Sequence, residues 1–520
     1  MMNLEDLFDQ PFGAISDLVR YHAEQRPEHA AVIQDERRLD YAAFDLLVDR
    51  VAATLQRDGL RPGDVLAICA ATSIEYAAVF LGGARAGVAV APLAPSSTAS
   101  SLAAMATDAG AKLFFVDAAV ATELAPLADG IAAGLIALDG SAAGTGFTEW
   151  LAPEGMRPVP VAIEPNLPFN IIYSSGTTGS PKGIVQSHGM RWAHVQRGAA
   201  TGYGPQAVTL LATPLYSNTT LVSFFPALTL GGTVVLMPKF DAGSYLALAE
   251  KHRATHTMLV PIQYQRLMAH PDFDNYDLSS FLIKFCTSAP FGAALKADIL
   301  KRWAGALTEY YGMTEGGGTC ILAAHEYPHK LHTVGCPAPG HDIRLIDDEG
   351  REVADGNVGE VVGHSAAMMN AYHNQPAKTA EAEWHDATGK RFIRTGDIGR
   401  FDEDGFLTLL DRKKDMIISG GFNVYPSDLE SVLQQHPDIA EAAVVGVPSV
   451  RWGETPVAFI VLNPGRQSSA AVLLEWVNAR LGKMQRLAAV EIVDSLPRGP
   501  IGKVLKRELR DAFRSSAAAR

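Results

Sequence analysis

The stretch that decides the reading is residues 171–188, IIYSSGTTGSPKGIVQSH. An apolar run ends at Tyr173, an unbroken series of Ser, Gly and Thr follows from Ser174 to Ser180, and Pro181, Lys182 and Gly183 come next. A flexible linker can have this composition, but linkers rarely start at the end of a buried strand or carry a single lysine. Glycines let successive backbone N–H groups converge on an anion, hydroxyls add donors, and one lysine adds a full positive charge. The pattern therefore points to a phosphate cradle. A Walker loop needs Gly-x-x-x-x-Gly-Lys-Ser/Thr opening a helix, and the order from Gly176 to Gly183 does not fit it. GPIGKV near the C-terminus fails as well, because Val504 follows Lys503. A P-loop motor or kinase is disfavoured.

Outward from this stretch, one grammar repeats: a short apolar run, a polar or Gly-rich turn, then a helical segment. DVLAICA (64–70), IEYAAVFLGGARAG (74–87) and VAVAPL (88–93) make a βαβ unit. NIIYSS, VTLLATPL, GTVVLMP, THTMLVP, FLIKFCTS and LTEYYG are each apolar until they end in Ser, Thr, Pro or Gly. Near-continuous apolar strands separated by helices predict parallel sheets covered on both faces, with ligands beyond the strands' carboxyl ends. After about Gly335 the rhythm changes. HDIRLIDDEG, GNVGEVVGHS and GFLTLLDR read as short strands with hairpin turns, an antiparallel subdomain. Beyond DRKKDMIISGGFNVYP comes a compact helix–strand–strand–helix pattern, SDLESVLQQHP, IAEAAVVGVP, TPVAFIVL and AVLLEWVNARL. The expected fold is α/β: a large domain over residues 1–411 with two parallel-type α/β subdomains and an antiparallel part, then a small α+β domain over 412–520.

The chain has 520 residues, 48% hydrophobic and 19% charged, an ordinary soluble composition for a large domain with a smaller companion. A net charge of −13 disfavours a general nucleic-acid or anionic-membrane surface, so a bound anion must be held by local positive groups and backbone amides. Cys69, Cys286, Cys320 and Cys336 show no metal-ligand spacing and read as buried or incidental thiols. The acidic opening MMNLEDLFDQ lacks the order of a secretory signal, and the apolar stretch 80–94 is too short to span a bilayer and contains Arg85. A reducing, cytoplasmic location without integral membrane association is expected.

YSSGTTGSPKG, YYGMTE, RTGDIG, DRKKDMIISGGFNVYP and GPIGKVLKREL together, in this order and across nearly the whole chain, resemble the signature runs of the adenylate-forming superfamily. That group comprises acyl- and aryl-CoA synthetases, adenylation domains and beetle luciferases. The resemblance implies an AMP-forming acid–CoA ligase: a carboxylate attacks the α-phosphorus of MgATP, pyrophosphate leaves, and the thiol of coenzyme A then displaces AMP. The implied small-molecule partners are a carboxylic acid, ATP with Mg²⁺, and CoA, with a homodimer as the candidate assembly and no nucleic acid.

By the same resemblance Ser174, Ser175, Gly176, Thr177, Thr178, Gly179 and Lys182 wrap the β- and γ-phosphates, with Lys182 closing over the leaving group and Thr177 near the metal. In TEYYGMTE, Tyr311 stacks on adenine with Tyr310, Gly312 and Met313 around it. Thr314 touches the α-phosphate, Glu315 helps hold Mg²⁺, and Glu309 accepts from adenine's amine. Ser288, Ala289 and Pro290 flank the adenine. Asp397 accepts the ribose hydroxyls with Arg412 beside it. Lys414 is the hinge about which the mobile small domain rotates, and Lys503 reaches between the acyl carboxylate and the α-phosphate. For CoA, Gly420 and Gly421 border the pantetheine path, Trp452 resembles a contact of some aryl-CoA synthetases, and Arg486 is a phosphate contact. Met484 stands where those relatives have an aromatic residue.

The sequence departs from the family pattern at TPLYSNTT, where Ser217 replaces the histidine common in acyl-CoA synthetases. Ser217 cannot pair with a substrate ammonium, which disfavours α-amino acids. The acyl pocket is expected from Tyr216, Ser217, Asn218, Thr219, Thr220, Phe224, Met258 and Thr287. With no arginine evident among these, a dicarboxylate is not expected; an aromatic, phenylpropenoic or medium-chain aliphatic acid is. The alternative is a free-standing adenylation enzyme that loads a separate carrier-protein thiol, since only 17 residues follow Lys503.

Overall fold

Strands such as Val65–Cys69, Thr233–Leu236 and His256–Leu259 are buried at every position, as sequences without polar alternation demand. The computed structural model describes residue 8 and residues 10–174, 182–354, 356–419, 422–449, 452–482, 485–499 and 503–518. The chain forms two compact units, Met1–Ile343 with Gly363–Ile393, and Arg344–Val362 with Arg394–Arg520.

The first unit contains two large sheets. In one, Pro168–Ser174, Ala89–Pro92, Val65–Cys69, Ala111–Val116, Gly134–Ala137 and Thr145–Gly146 run parallel in that spatial order. In the other, Ala306–Tyr311, Ile283–Cys286, His256–Leu259, Val208–Leu211, Thr233–Leu236 and Ala30–Gln34 are parallel neighbours. Antiparallel strands are added at the edges, among them Cys320–Ala323 beside Ala306–Tyr311. The helices Tyr41–Arg57, Ile74–Ala86 and Asn218–Thr229 fill the space that both sheets face, and Phe80, Phe169 and Phe225 pack there with ring centroids 5.2–5.8 Å apart. A Cβ on Gly82 would stand 2.3 Å from Val51, so two of these helices approach more closely than any larger residue allows.

The opening stretch folds as a hairpin. Pro168–Ser174 pairs antiparallel with Lys182–Ser187, with Ser174 opposite Lys182, and the helix His188–Ala199 starts only after the second strand. The Ser/Gly/Thr run therefore joins two strands, unlike the strand-to-helix turn of a P-loop.

The second unit is α+β. Ile439–Ser449 and Gly453–Leu462 form its long antiparallel pair, with Ala489–Ile492 parallel to the latter. Strand alternation sends Val444, Ala458 and Ile460 to a core with the helices Pro426–Leu433 and Ala470–Asn478, and Val445, Val457 and Phe459 to a second core with Leu509. Residues 397–401 pair with the strand Leu407–Arg412 in the same unit. The α/β fold expected from the sequence is borne out, including the helix–strand–strand–helix order of the C-terminal part. Among the described residues no helix is long and apolar enough to cross a membrane.

Arg85, which interrupts the most apolar segment, is buried and paired: Nη1 donates to Asp49 at 2.8 Å and Nη2 to Asp45 at 2.5 Å and to the Ser16 carbonyl at 3.1 Å. It ties together three helices and shares both buried carboxylates with Arg20, so removing it leaves Arg20 as their remaining cation. Arg85→Met should cost about 3–5 kcal/mol, read as a lowered denaturant midpoint with an unchanged slope.

Candidate active site

Three polar turns leave the second sheet by the same edge, because the strands that precede them are parallel: 212–217 after Val208–Leu211, 287–290 after Ile283–Cys286, and 312–315 after Ala306–Tyr311. Ser288 holds a left-handed backbone (φ 83°), rare for a residue with a side chain, while its hydroxyl bonds that of Thr219. The Thr287 hydroxyl donates to the Tyr310 carbonyl at 2.8 Å and joins two of the turns.

Thr314 and Glu315 are each held from behind. The Thr314 carbonyl accepts from Gln186 Nε2 at 2.6 Å. Gln186 Oε1 in turn accepts from Arg191 and, at 2.9 Å, from Asn170 Nδ2. Arg191 is wholly buried and also donates from Nε and Nη2 to Asn170 Oδ1 at 2.9 and 2.8 Å. Burial alone pulls its guanidinium down to about 9, which still leaves it charged at neutral pH. Glu315 Oε1 accepts from the Tyr372 hydroxyl at 2.8 Å, and the Glu315 carbonyl accepts from Met369 N–H at 2.8 Å. Burial, and then the Glu315 charge, push the Tyr372 phenol upward, so it stays a donor. Lys182 Nζ lies 5.0 Å from the centre of the same ring. Gly316 (φ 74°) must be glycine, since a Cβ would come within 1.9 Å of the Ala367 carbonyl.

Glu309 is buried, and its carboxylate pairs with the equally buried Lys296, whose Nζ also donates to the Leu331 and Thr333 carbonyls. Burial raises the carboxyl to about 7 against the pull of Lys296. Lys296 had no place in the sequence reading. Thr220 is committed locally, donating to Thr213 and to the Pro214 carbonyl, and Phe224 and Met258 lie in the core. Ser217 is buried just before the helix Asn218–Thr229, with Tyr216 and Asn218 half-buried on either side. Ala289, Tyr311 and Met313 are half-buried, while Pro290 and Gly312 are exposed.

In the second unit Asp397 and Arg412 are cross-strand partners joined by a 2.6 Å ion pair. The charged groups that act on Lys503 are Arg412, Asp397, Lys414 and Asp415, so this unit collects four of the predicted residues in one place. Lys503 and Lys414 are exposed. Desolvation and then Arg412 bring the Lys503 ammonium down to about 8. Trp452 is 40% exposed, which sets aside a core role, and Arg486 is exposed. Ser175, Gly176, Thr177, Thr178, Gly179, Gly420, Gly421 and Met484 lie outside the described residues, as does the side chain of Ser174. An open cavity of about 520 Å³ beside Asn166, Ser187, Met190, Met368 and Arg391 contains none of the predicted residues.

Residues 19–373 match the model of the AMP-binding enzyme family, and residues 428–503 match the AMP-binding enzyme C-terminal domain. The chain belongs to this family. It is 33% identical over 512 residues to the fatty acid–[acyl-carrier-protein] ligase ScoC of Streptomyces coeruleorubidus, covering 96% of each chain. It is 34% identical over 509 residues to the indoleacetate–CoA ligase of Aromatoleum aromaticum, covering 95% of this chain and 97% of that one. Among solved structures it resembles the amide bond synthetase McbA of Marinactinospora thermotolerans, with a TM-score of 0.86 and 29% identity over 96% of this chain and 99% of that one. The adenylate-forming enzyme read from the motifs, an AMP-forming acyl/aryl-CoA synthetase using ATP and CoA, is borne out.

Tyr372, Gln186 and Arg191 escaped the sequence reading. Tyr372 lies far along the chain from Glu315, and Gln186 and Arg191 follow the conspicuous loop in a segment that reads as ordinary strand and helix. Tyr372→Phe should slow adenylate formation about tenfold or more, the worth of a hydrogen bond to a charged group, and raise the Mg²⁺ concentration needed for half-maximal rate. Stopped-flow pyrophosphate release across a Mg²⁺ series measures both.

Proposed function

We propose that this AMP-binding enzyme activates an aromatic, phenylpropenoic or medium-chain aliphatic acid as its acyl-adenylate and passes the acyl group to coenzyme A. The observation that carries the two-step reading is the division of charged residues between the units. Thr314, Glu315 and Lys182 belong to the first, and Asp397, Arg412 and Lys503 to the second. A cation on a separate body can neutralise the charge that builds as a carboxylate meets the α-phosphate, then withdraw to admit a thiol. Lys414, beside the Asp397–Arg412 pair, is the proposed hinge.

In the first step the substrate carboxylate attacks the α-phosphorus of MgATP and pyrophosphate leaves. The Thr314 hydroxyl and the Lys503 ammonium face the developing charge. Tyr372 occupies one oxygen of Glu315, which leaves the other for the magnesium that arrives with the nucleotide; Thr177 adds a hydroxyl to it by resemblance. Oxygen ligands of this kind suit a hard cation. Asp397 receives the ribose. The Lys182 ammonium, beside Tyr372, screens the leaving pyrophosphate. In the second step the thiol of CoA attacks the acyl carbonyl and AMP leaves. Ser217, Asn218 and Thr219 put hydroxyl and amide groups beside the acyl chain, which favours ring hydroxyls or other polar substituents.

Transfer to a carrier-protein thiol is the second reading, favoured by the 33% identity to an acyl-carrier-protein ligase. A carboxylic-acid panel scored by pyrophosphate release, with CoA and carrier protein compared as thiols, tests both. Failure of every acid in the panel to release pyrophosphate would sink the ligase assignment, and AMP release driven by carrier alone would favour the second reading.

Lys503→Ala should lower adenylate formation by a factor on the order of a hundred or more, while thioester formation from a supplied acyl-adenylate persists. Equal loss in both half-reactions would contradict the role of Lys503. The ammonium is charged below about 8 and neutral above it, so the wild-type first half-reaction should decline as pH rises through 8. That alkaline limb should be absent from the Lys503→Ala profile.

A further inference from the structure

Arg197 stands near the end of the helix His188–Ala199, and its guanidinium lies over the ring of Tyr310 at 5.4 Å. The same ring contacts Phe285 at 5.6 Å, and Phe285 contacts Tyr203 at 5.9 Å, whose hydroxyl bonds Ser223 on the helix Asn218–Thr229. Phe285 sits in register with Met258, and Thr287 holds the Tyr310 carbonyl. Arg197 is half-buried, and its ring partner Tyr310 links it to two residues assigned to the acyl pocket, to Thr287 directly and to Met258 through Phe285. On its other flank Nη1 reaches Thr319 Oγ1 at 3.4 Å, an atom that a Cβ on Gly312 would meet at 3.4 Å. The guanidinium thus borders the nucleotide motif as well.

Its polar partners are inadequate for a cation. Among the described residues Arg197 has one long hydrogen bond to a hydroxyl and an aromatic face, and no carboxylate. Its neighbours do not compensate. Arg191, six residues earlier on the same helix, is bonded to amide oxygens and faces His194 at 3.5 Å. His194 and His341 are both pushed below their usual range, by burial first and by the charge of Arg197 next, so neither adds a negative or a compensating group. His341 uses Nδ1 to accept from Thr319 N–H. Among the described residues no carboxylate is paired with either arginine. Holding a half-buried guanidinium without a counter-charge costs free energy, and an incoming anion would offset that cost.

We infer that the acid activated by this enzyme carries a second carboxylate, which pairs with Arg197 between the acyl-pocket residues and the nucleotide motif. The fork of a guanidinium matches a carboxylate in two parallel hydrogen bonds, and the Thr319 hydroxyl lies beside it. From the sequence a dicarboxylate is not expected, because no arginine stands among residues 216–220, Phe224, Met258 and the 287–290 turn; Arg197 comes instead from the helix His188–Ala199 that follows the hairpin. The inference rests on the ligase reading above and narrows its substrate to aryl or aliphatic diacids.

The test is pyrophosphate release by the full-length enzyme with aryl and aliphatic dicarboxylic acids, each compared with its own monomethyl ester and with the monocarboxylic acid of the same skeleton. The wild type should prefer a diacid by at least about a hundredfold in kcat/KM, since a site built to pair a polar group rejects the analogue that lacks it. Arg197→Met should remove that preference by raising KM for the diacid while the rate with its monoester is little changed, and Arg197→Lys should restore part of it. A wild type that uses monocarboxylic acids or monoesters as well as diacids overturns the inference and leaves the ligase reading standing. So does an equal loss by Arg197→Met on both members of a pair, which would place Arg197 at the reacting carboxylate. No release with any acid would sink the ligase reading, and the inference with it. The wild-type preference needs no variant, so a poorly folding substitution does not blunt the test.

Discussion

A full positive charge buried among amides sets the geometry on which the rest depends. Arg191 is sequestered from water and satisfied by the side-chain oxygens of Asn170 and Gln186, one from each strand of the hairpin. With its oxygen claimed, Gln186 can only present its amide hydrogens, and these fall on the Thr314 carbonyl. The hairpin that carries the phosphate loop and the turn that carries the α-phosphate contact are thus locked together by one charge-assisted relay. In a low-dielectric interior such a relay is rigid when complete and expensive when broken.

The enzyme's task is to bring two anions together in a chain that is itself strongly acidic. Long-range attraction is unavailable, so the positive groups are local and each is separately restrained: Lys182 against an aromatic ring, Arg412 against Asp397, Arg191 inside its amide cage. The lysine of the second unit differs. Its weakened hold on a proton and its exposure suit a group that is charged only while it is needed. The acid side shows the same economy, since Glu315 has one oxygen anchored by Tyr372 and Glu309 has one oxygen paired with Lys296.

Much of this was legible in the sequence. The apolar strands, the polar turns at their carboxyl ends and the five signature runs identify the fold and family, and the resemblance already sets Arg412 beside Asp397, its cross-strand neighbour. What escaped notice has one physical character. Gln186, Arg191, Lys296, Tyr372 and Arg197 act through contacts between elements distant in sequence, and their types look ordinary where they stand. Nothing in KADILKR announces that Lys296 will be buried against a strand, and nothing in AYHNQP announces that Tyr372 will reach Glu315. A buried charge reads like a solvated helix face until the partner across the fold is known.

The antiparallel ladder that sets Ser174 opposite Lys182 has a further consequence, for the tolerance of this enzyme to insertions and deletions. Side chains on a strand alternate between the two surfaces of the sheet. If a change in length between the paired strands were taken up by slippage of one position, Lys182 and Gln186, which share a parity, would be carried together to the opposite surface. The ammonium would leave Tyr372 and the amide would leave Thr314 in a single event. Variation in this segment is therefore expected to spare its length and act on residue identity instead, because the ladder counts residues in twos.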